Sequence, residues 1–136
     1  MNKFLVATVI LLALLSPLHT MGQNQQTHQE AASDWWINLQ SSPLVFETNV
    51  SGRMLNLFNH GSKSIKRYRL GCIVEEEGKL KILHKKAMIK TSLAPNQGLL
   101  NSIYVYTHDK SSCEREHAKL SIIEVAFSDG SEWKAK

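Results

Sequence analysis

The chain has 136 residues, of which 21% are charged, and a net charge of +4. Its length is enough for one domain and excludes two separate hydrophobic cores of ordinary size. The basic charge is concentrated in one half of the chain, because nine lysines and arginines between Lys63 and Lys90 face only Glu75, Glu76 and Glu77. The rest of the chain therefore has a negative net charge.

The chain begins with the pattern of a secretory signal peptide. Lys3 gives a positive start, Phe4–Leu15 is apolar apart from Thr8, and Ser16–Pro17 precedes a short polar stretch. The apolar run is about 12 residues long, whereas a membrane-spanning helix needs roughly 20. We expect residues 1–22 to be removed after Gly22, leaving a secreted or periplasmic protein without a stable membrane anchor.

Residues 23–43 are predicted to be a flexible leader with a tryptophan anchor. Gln23–Ser33 is rich in Gln, His and Ala and shows no apolar periodicity. Trp35 and Trp36 follow, and adjacent indoles offer the large apolar faces on which a carbohydrate can stack. Neighbouring residues of a strand point to opposite sides, so the alternative is that one of the two tryptophans is buried against the edge of the folded domain.

From residue 44 onwards, alternation of apolar and polar residues with period two predicts short strands. Glu76–Lys79 is expected to be a turn, and the Asp129–Gly130 pair predicts a tight hairpin leading to Trp133. Asp109–His117 is expected to be a polar excursion that carries Cys113 and could form one helical turn. A strand over Ala87–Thr91 either continues the predicted strand Leu80–His84 or is separate from it. The other predicted strands are Leu44–Val50, Arg53–Asn59, Ile65–Glu75, Leu80–His84, Leu99–His108 and Lys119–Phe127.

About seven short strands in about 100 residues predict an all-β fold, a single immunoglobulin-like antiparallel β-sandwich over residues 44–136. A small barrel is the alternative. Cys72 and Cys113 are the two cysteines of the chain, and in an oxidising export compartment we expect them to form a disulfide. Closing a loop of about 42 residues would stabilise the fold by roughly 4 kcal/mol.

Two segments carry structural motifs. Asn59–Tyr68 contains an Asn-turn-Lys-Ile sequence, and Val125–Trp133 contains Phe-x-Asp-Gly-x-x-Trp. In both, the chain resembles uncharacterised exported bacterial proteins with an immunoglobulin-like or fibronectin-like sandwich, over roughly residues 44–134. The resemblance implies a fold and a compartment, and it implies no catalytic or binding residues.

Catalytic motifs are missing from the sequence. It contains no Gly-x-Ser-x-Gly and no His-Glu-x-x-His, and Gly78–Lys79 lacks the spacing of a phosphate loop. A zinc site could draw on a cluster of potential ligands, but an oxidised Cys113 cannot bind zinc. We therefore expect neither an enzyme nor a cofactor. The potential ligands are His108, Asp109, Cys113, Glu114, Glu116 and His117.

Basic residues on two consecutive predicted strands form the candidate binding face. If the strands are adjacent, cross-strand neighbours approach within about 5 Å, and the resulting positive field would attract an acidic protein or an anionic glycan. The alternative is that lysines keep an edge strand soluble and unpaired. Nucleic acid is not an expected partner, because no recognised binding module is present. The candidate residues are Lys66, Arg67, Arg69, Lys79, Lys81, Lys85 and Lys86, followed by Lys90.

The leading hypothesis from the sequence is thus an exported, non-catalytic binding protein. The second is a structural module that self-associates through an edge strand. The third is a small exported metal protein or enzyme centred on His108–His117.

Overall fold

The computed structural model describes residues 33–49 and 51–136. The predicted signal peptide, the leader up to residue 32 and Val50 lie outside the described residues. A 3-10 helix (Ile103–Tyr106) and an α-helix, α1 (Thr107–Glu114), connect the fifth strand to the sixth. The strands are β1 (Leu44–Thr48), β2 (Leu55–Asn59), β3 (Ile65–Glu76), β4 (Lys79–Leu93), β5 (Gly98–Leu99), β6 (Lys119–Phe127) and β7 (Glu132–Lys134).

The strands form two antiparallel sheets that enclose one core. The first has the order β1-β2-β5, and the second has the order β4-β3-β6-β7. The predicted all-β sandwich of about seven strands is confirmed. In an antibody constant domain the fourth strand belongs to the sheet of the first two, whereas β4 pairs with β3 here. The immunoglobulin-like assignment stays a prediction.

One predicted strand is wrong. Leu99–His108 forms the last residue of β5, the 3-10 helix and the start of α1, although its β-branched and aromatic residues favour a strand. Ser102 caps the 3-10 helix by accepting a bond from the Tyr104 amide. Tyr106 turns inwards, 2% exposed, and packs edge-on against Phe46. Tertiary packing thus overrides local propensity in this connection.

The two tryptophans close one side of the core. Trp35 is 9% exposed and Trp36 is 3% exposed, and the Trp36 ring packs 5.7 Å from that of Phe46. The Leu120 amide donates to the Trp35 carbonyl, and the Leu120 carbonyl accepts from the Ile37 amide, so this segment lies along β6. The carbohydrate-stacking hypothesis is wrong, because neither indole presents a free face.

Cys72 and Cys113 form the predicted disulfide, and both are fully buried. The bond joins the middle of β3 to the last turn of α1. It therefore holds the helical connection against the four-stranded sheet, as expected for a bridge between a strand and a loop.

Asn59 connects the two sheets through its side chain. It is fully buried at the end of β2, and its Nδ2 donates to the carbonyls of Lys63, at 2.9 Å, and Leu93, at 3.1 Å. Its Oδ1 accepts from the Gly61 amide at 3.0 Å. The three hydrogen bonds of the Asn59 side-chain amide thus stabilise the connection from β2 of one sheet to β3 of the other.

Both predicted turns are present. Glu77 and Gly78 have φ of 53° and 74°, the positive values that a two-residue hairpin turn requires. At the second turn Gly130 has a φ of 91°, and the Asp129 carboxylate accepts bonds from the amide and hydroxyl of Ser131. These bonds, with Lys63 beside them, lower the pKa of Asp129 to about 2.

Gly71 of β3 has no room for a Cβ atom. A Cβ here would lie 2.7 Å from Ile123 Cδ1 and 2.9 Å from the His84 carbonyl oxygen. We expect Gly71→Ala to lower the free energy of unfolding by about 1–3 kcal/mol in urea denaturation, because the His84 backbone must shift. Gly98→Ala is the control, since its nearest neighbour is at 3.4 Å. Equal losses in the two variants would contradict this account.

The buried tyrosines predict a loss of stability at alkaline pH. Burial raises the pKa of Tyr68 and, more strongly, that of Tyr106. Above a pH of about 10, tyrosines ionise in the unfolded chain first. The unfolded state then binds fewer protons, so the free energy of unfolding falls as the pH rises. Denaturation curves should show a shallower fall for Tyr106→Phe than for the wild type, and identical slopes would contradict the prediction.

Candidate functional site: the basic hairpin

All seven candidate basic residues lie on β3 and β4. These strands pair along their length, from Glu76 opposite Lys79 to Ile65 opposite Leu93. We call this two-stranded unit the basic hairpin. Because β4 ends its sheet, the hairpin borders solvent along its outer edge.

The strand register sorts the basic side chains by face. Arg67 stands opposite Lys90, and Gly71 stands opposite Lys85. These positions alternate with Tyr68, Leu70 and Cys72 of the core, so they lie on the outer face of the sheet. Arg67, Lys85 and Lys90 are all exposed, and we call these three residues the basic row.

Other candidates lie away from this row. Lys79 stands opposite Glu76 and Lys81 opposite Val74 near the turn of the hairpin. Lys66 occupies the register shift between Ile65 and Arg67. The predicted seven residues therefore share one hairpin but not one face.

Arg69 and Lys86 are engaged in the structure of the domain. Arg69 Nε lies 3.0 Å from Glu124 Oε2, and its Nη1 donates to the Lys86 carbonyl at 2.9 Å. Lys86 Nζ donates to Ser112 Oγ at 2.9 Å and lies 3.8 Å from Asp109 Oδ1. These two cations connect the hairpin to β6 and α1, and their charges are neutralised by Glu124 and Asp109.

The remaining cations lack this neutralisation. Within residues 33–49 and 51–136, no carboxylate lies within ion-pairing distance of the six basic side chains other than Arg69 and Lys86. Like charges directly opposite each other are unfavourable, and the pair Arg67–Lys90 is such a case. The six residues are Lys66, Arg67, Lys79, Lys81, Lys85 and Lys90.

In the part of the chain that the structure describes, no three potential metal ligands of the acidic and histidine-rich connection come together. Cys113 is held in the disulfide. Glu116 instead pairs with His84 of β4, with Oε1 and Nε2 at 2.5 Å. No local pattern predicts this pair, because the two residues are distant along the chain.

Sequence reasoning also missed a groove of about 1060 Å³ at the turn end of the four-stranded sheet. Its walls are residues 37–41, the end of β3, the start of β4, His117, Lys119 and the C-terminal residues 132–136. Partly exposed apolar side chains converge on it, which no local pattern could reveal because they come from four separate segments. These side chains are Ile37, Leu39, Val74, Leu80 and Trp133.

The basic row leads to this groove. Lys85 stands opposite Gly71, and Ile73, which lines the groove, is the next residue of β3 on the same face. Two residues of a strand span about 7 Å. Unpaired cations therefore adjoin a groove whose lining includes several apolar side chains.

Comparison with known proteins gives no match: no family model fits the chain, and no curated protein or solved structure is significantly similar to it. The resemblance to exported sandwich proteins stays a prediction. Among the described residues, none of the helices has the length and apolar character that crossing a bilayer requires.

Proposed function

We propose that this protein is an exported, non-catalytic β-sandwich that binds an anionic partner on the basic hairpin. The observation that carries the proposal is Arg67 opposite Lys90, both exposed and neither in an ion pair with a carboxylate of the described residues. The repulsion between them is relieved when a partner supplies negative charge. An acidic protein and an anionic glycan both have the required chemistry.

Export is supported by the disulfide between Cys72 and Cys113. Disulfides persist in oxidising compartments and are rare in the reducing cytosol. Together with the signal-peptide pattern of residues 1–22, the disulfide favours a secreted or periplasmic product.

Charge reversal on the basic row tests the proposal. We expect the triple variant Arg67→Glu, Lys85→Glu, Lys90→Glu to bind immobilised heparin and poly-glutamate about tenfold more weakly, since exposed ion pairs contribute about 0.2–1 kcal/mol each. All three side chains are exposed, so the melting temperature should change little. Affinity is measured against salt concentration, and the loss should shrink at high salt.

The matched control carries the same change in net charge elsewhere, at Arg53, Lys110 and Arg115, which lie outside both the basic hairpin and the groove. We expect the control variant, with glutamate at these positions, to keep most of the affinity. If both variants lose affinity equally, the binding reflects net charge alone and the basic row is not a site.

Self-association through an edge strand is the second candidate function. In its favour, β4 is a strand of 15 residues at the end of its sheet. Against it, β4 contains five lysines and no acidic residue, so two paired copies would set lysines beside lysines. Register shifts also interrupt the pairing of β4, which is typical of protected edges. Elution in size-exclusion chromatography that shifts with concentration would support it.

A further inference from the structure

The adjoining basic row and groove point to a ligand with two kinds of group. The basic row offers unpaired cations at two positions along the hairpin. Arg67 and Lys90 stand at the first, and Lys85 stands opposite Gly71 at the second. The groove offers partly exposed apolar side chains, among them Leu80 and Trp133. The groove lining also contains Lys119, Lys134 and Lys136. A purely anionic ligand would leave the apolar side chains of the groove unused, and a purely apolar one would leave the cations unused.

We propose that the partner presents an extended peptide segment whose acidic residues lie on the basic row and whose large apolar side chain enters the groove. This inference rests on the proposed function and adds the class of partner. Charge complementarity selects acidic residues, and the groove volume of about 1060 Å³ is ample for one aromatic side chain. Such apolar anchors dominate the affinity of many interfaces.

The register sets the spacing within the segment. Arg67 and Gly71 are four residues apart on β3, about 13 Å in an extended strand, and Lys90 and Lys85 stand opposite them. Ile73 of the groove lies about 7 Å further along. A matching extended segment has two acidic residues about four positions apart and an apolar residue about two positions beyond the second.

The test uses the mature domain and three labelled synthetic peptides. One has glutamates and a tryptophan at this spacing, the second has serine in place of the tryptophan, and the third has glutamine in place of the glutamates. Fluorescence anisotropy gives the affinities. We expect the first peptide to bind at least about tenfold more tightly than the second, the effect of burying one large apolar side chain.

Protein variants locate the anchor. Leu80→Ser should abolish the difference between the first two peptides, because Leu80 lines the groove. Leu100→Ser is the matched control, since Leu100 is 75% exposed and lies outside the groove lining. It should leave the difference intact, and the charge-reversed row should weaken both glutamate peptides.

The outcomes separate this inference from the proposed function. Equal binding of the first two peptides, with sensitivity to the charge-reversed row, overturns the anchored segment and leaves the anionic-binding proposal standing. Binding of dodecanoate in the groove that displaces no peptide, with no effect of Leu80→Ser on peptides, also overturns it. If the wild type and the triple charge-reversal variant bind all three peptides equally, both proposals are overturned.

Discussion

Replacing both cysteines by alanine is expected to lower the free energy of unfolding by about 4 kcal/mol. Cys72 and Cys113 are separated by 41 residues along the chain, and releasing a loop of this size restores much entropy to the unfolded chain. In a domain of about 100 residues this corresponds to a fall in melting temperature of roughly 15 °C or more. Scanning calorimetry of the oxidised wild type and the double variant measures it.

A reducing agent provides the control for this prediction. It should lower the melting temperature of the wild type by a similar amount and leave that of the Cys72→Ala, Cys113→Ala variant unchanged. A double variant that melts within a few degrees of the wild type would show that the packing of α1 on β3, rather than the bond, holds the connection. Because the disulfide does not form in the reducing cytosol, cytosolic expression should give a less stable or unfolded product.

Asn59→Ala is expected to lower the free energy of unfolding by about 3 kcal/mol. The substitution leaves the carbonyls of Lys63 and Leu93 without their donor and the Gly61 amide without its acceptor. Buried polar groups that lose their partners cost about 1–3 kcal/mol each, unless water reaches them. Urea denaturation measures the loss, which should appear as a lower midpoint with an unchanged slope.

Asn56→Ala on the same strand is the matched control. Asn56 is only partly buried, and its Oδ1 accepts one bond, from the Asn101 amide at 3.1 Å. Its removal should cost about 1 kcal/mol. If the two variants have the same midpoint, the side chain of Asn59 does not connect the sheets in the way described.

The candidate site shows where sequence reasoning ends. The clustering of lysines and arginines on two consecutive strands was visible as residue types and spacing. Which of them are available to a partner depends on Glu124 and Asp109, which neutralise Arg69 and Lys86 from distant parts of the chain. No local pattern predicts such a neighbour, because it follows from the pairing of β6 and the position of α1.

The sequence by itself determined those features that depend on neighbouring residues. Alternation along β3 and β6 follows from the two-residue repeat of a strand, and the turn at Gly78 follows from the freedom of glycine at positive φ. The Cys72–Cys113 bond follows from there being two cysteines in a chain predicted to be exported. The tertiary structure alone decided the helical path of Leu99–His108, the burial of both Trp35 and Trp36, and the groove. Each depends on apolar surfaces from distant segments, whose burial outweighs a local preference of a few tenths of a kcal/mol per residue.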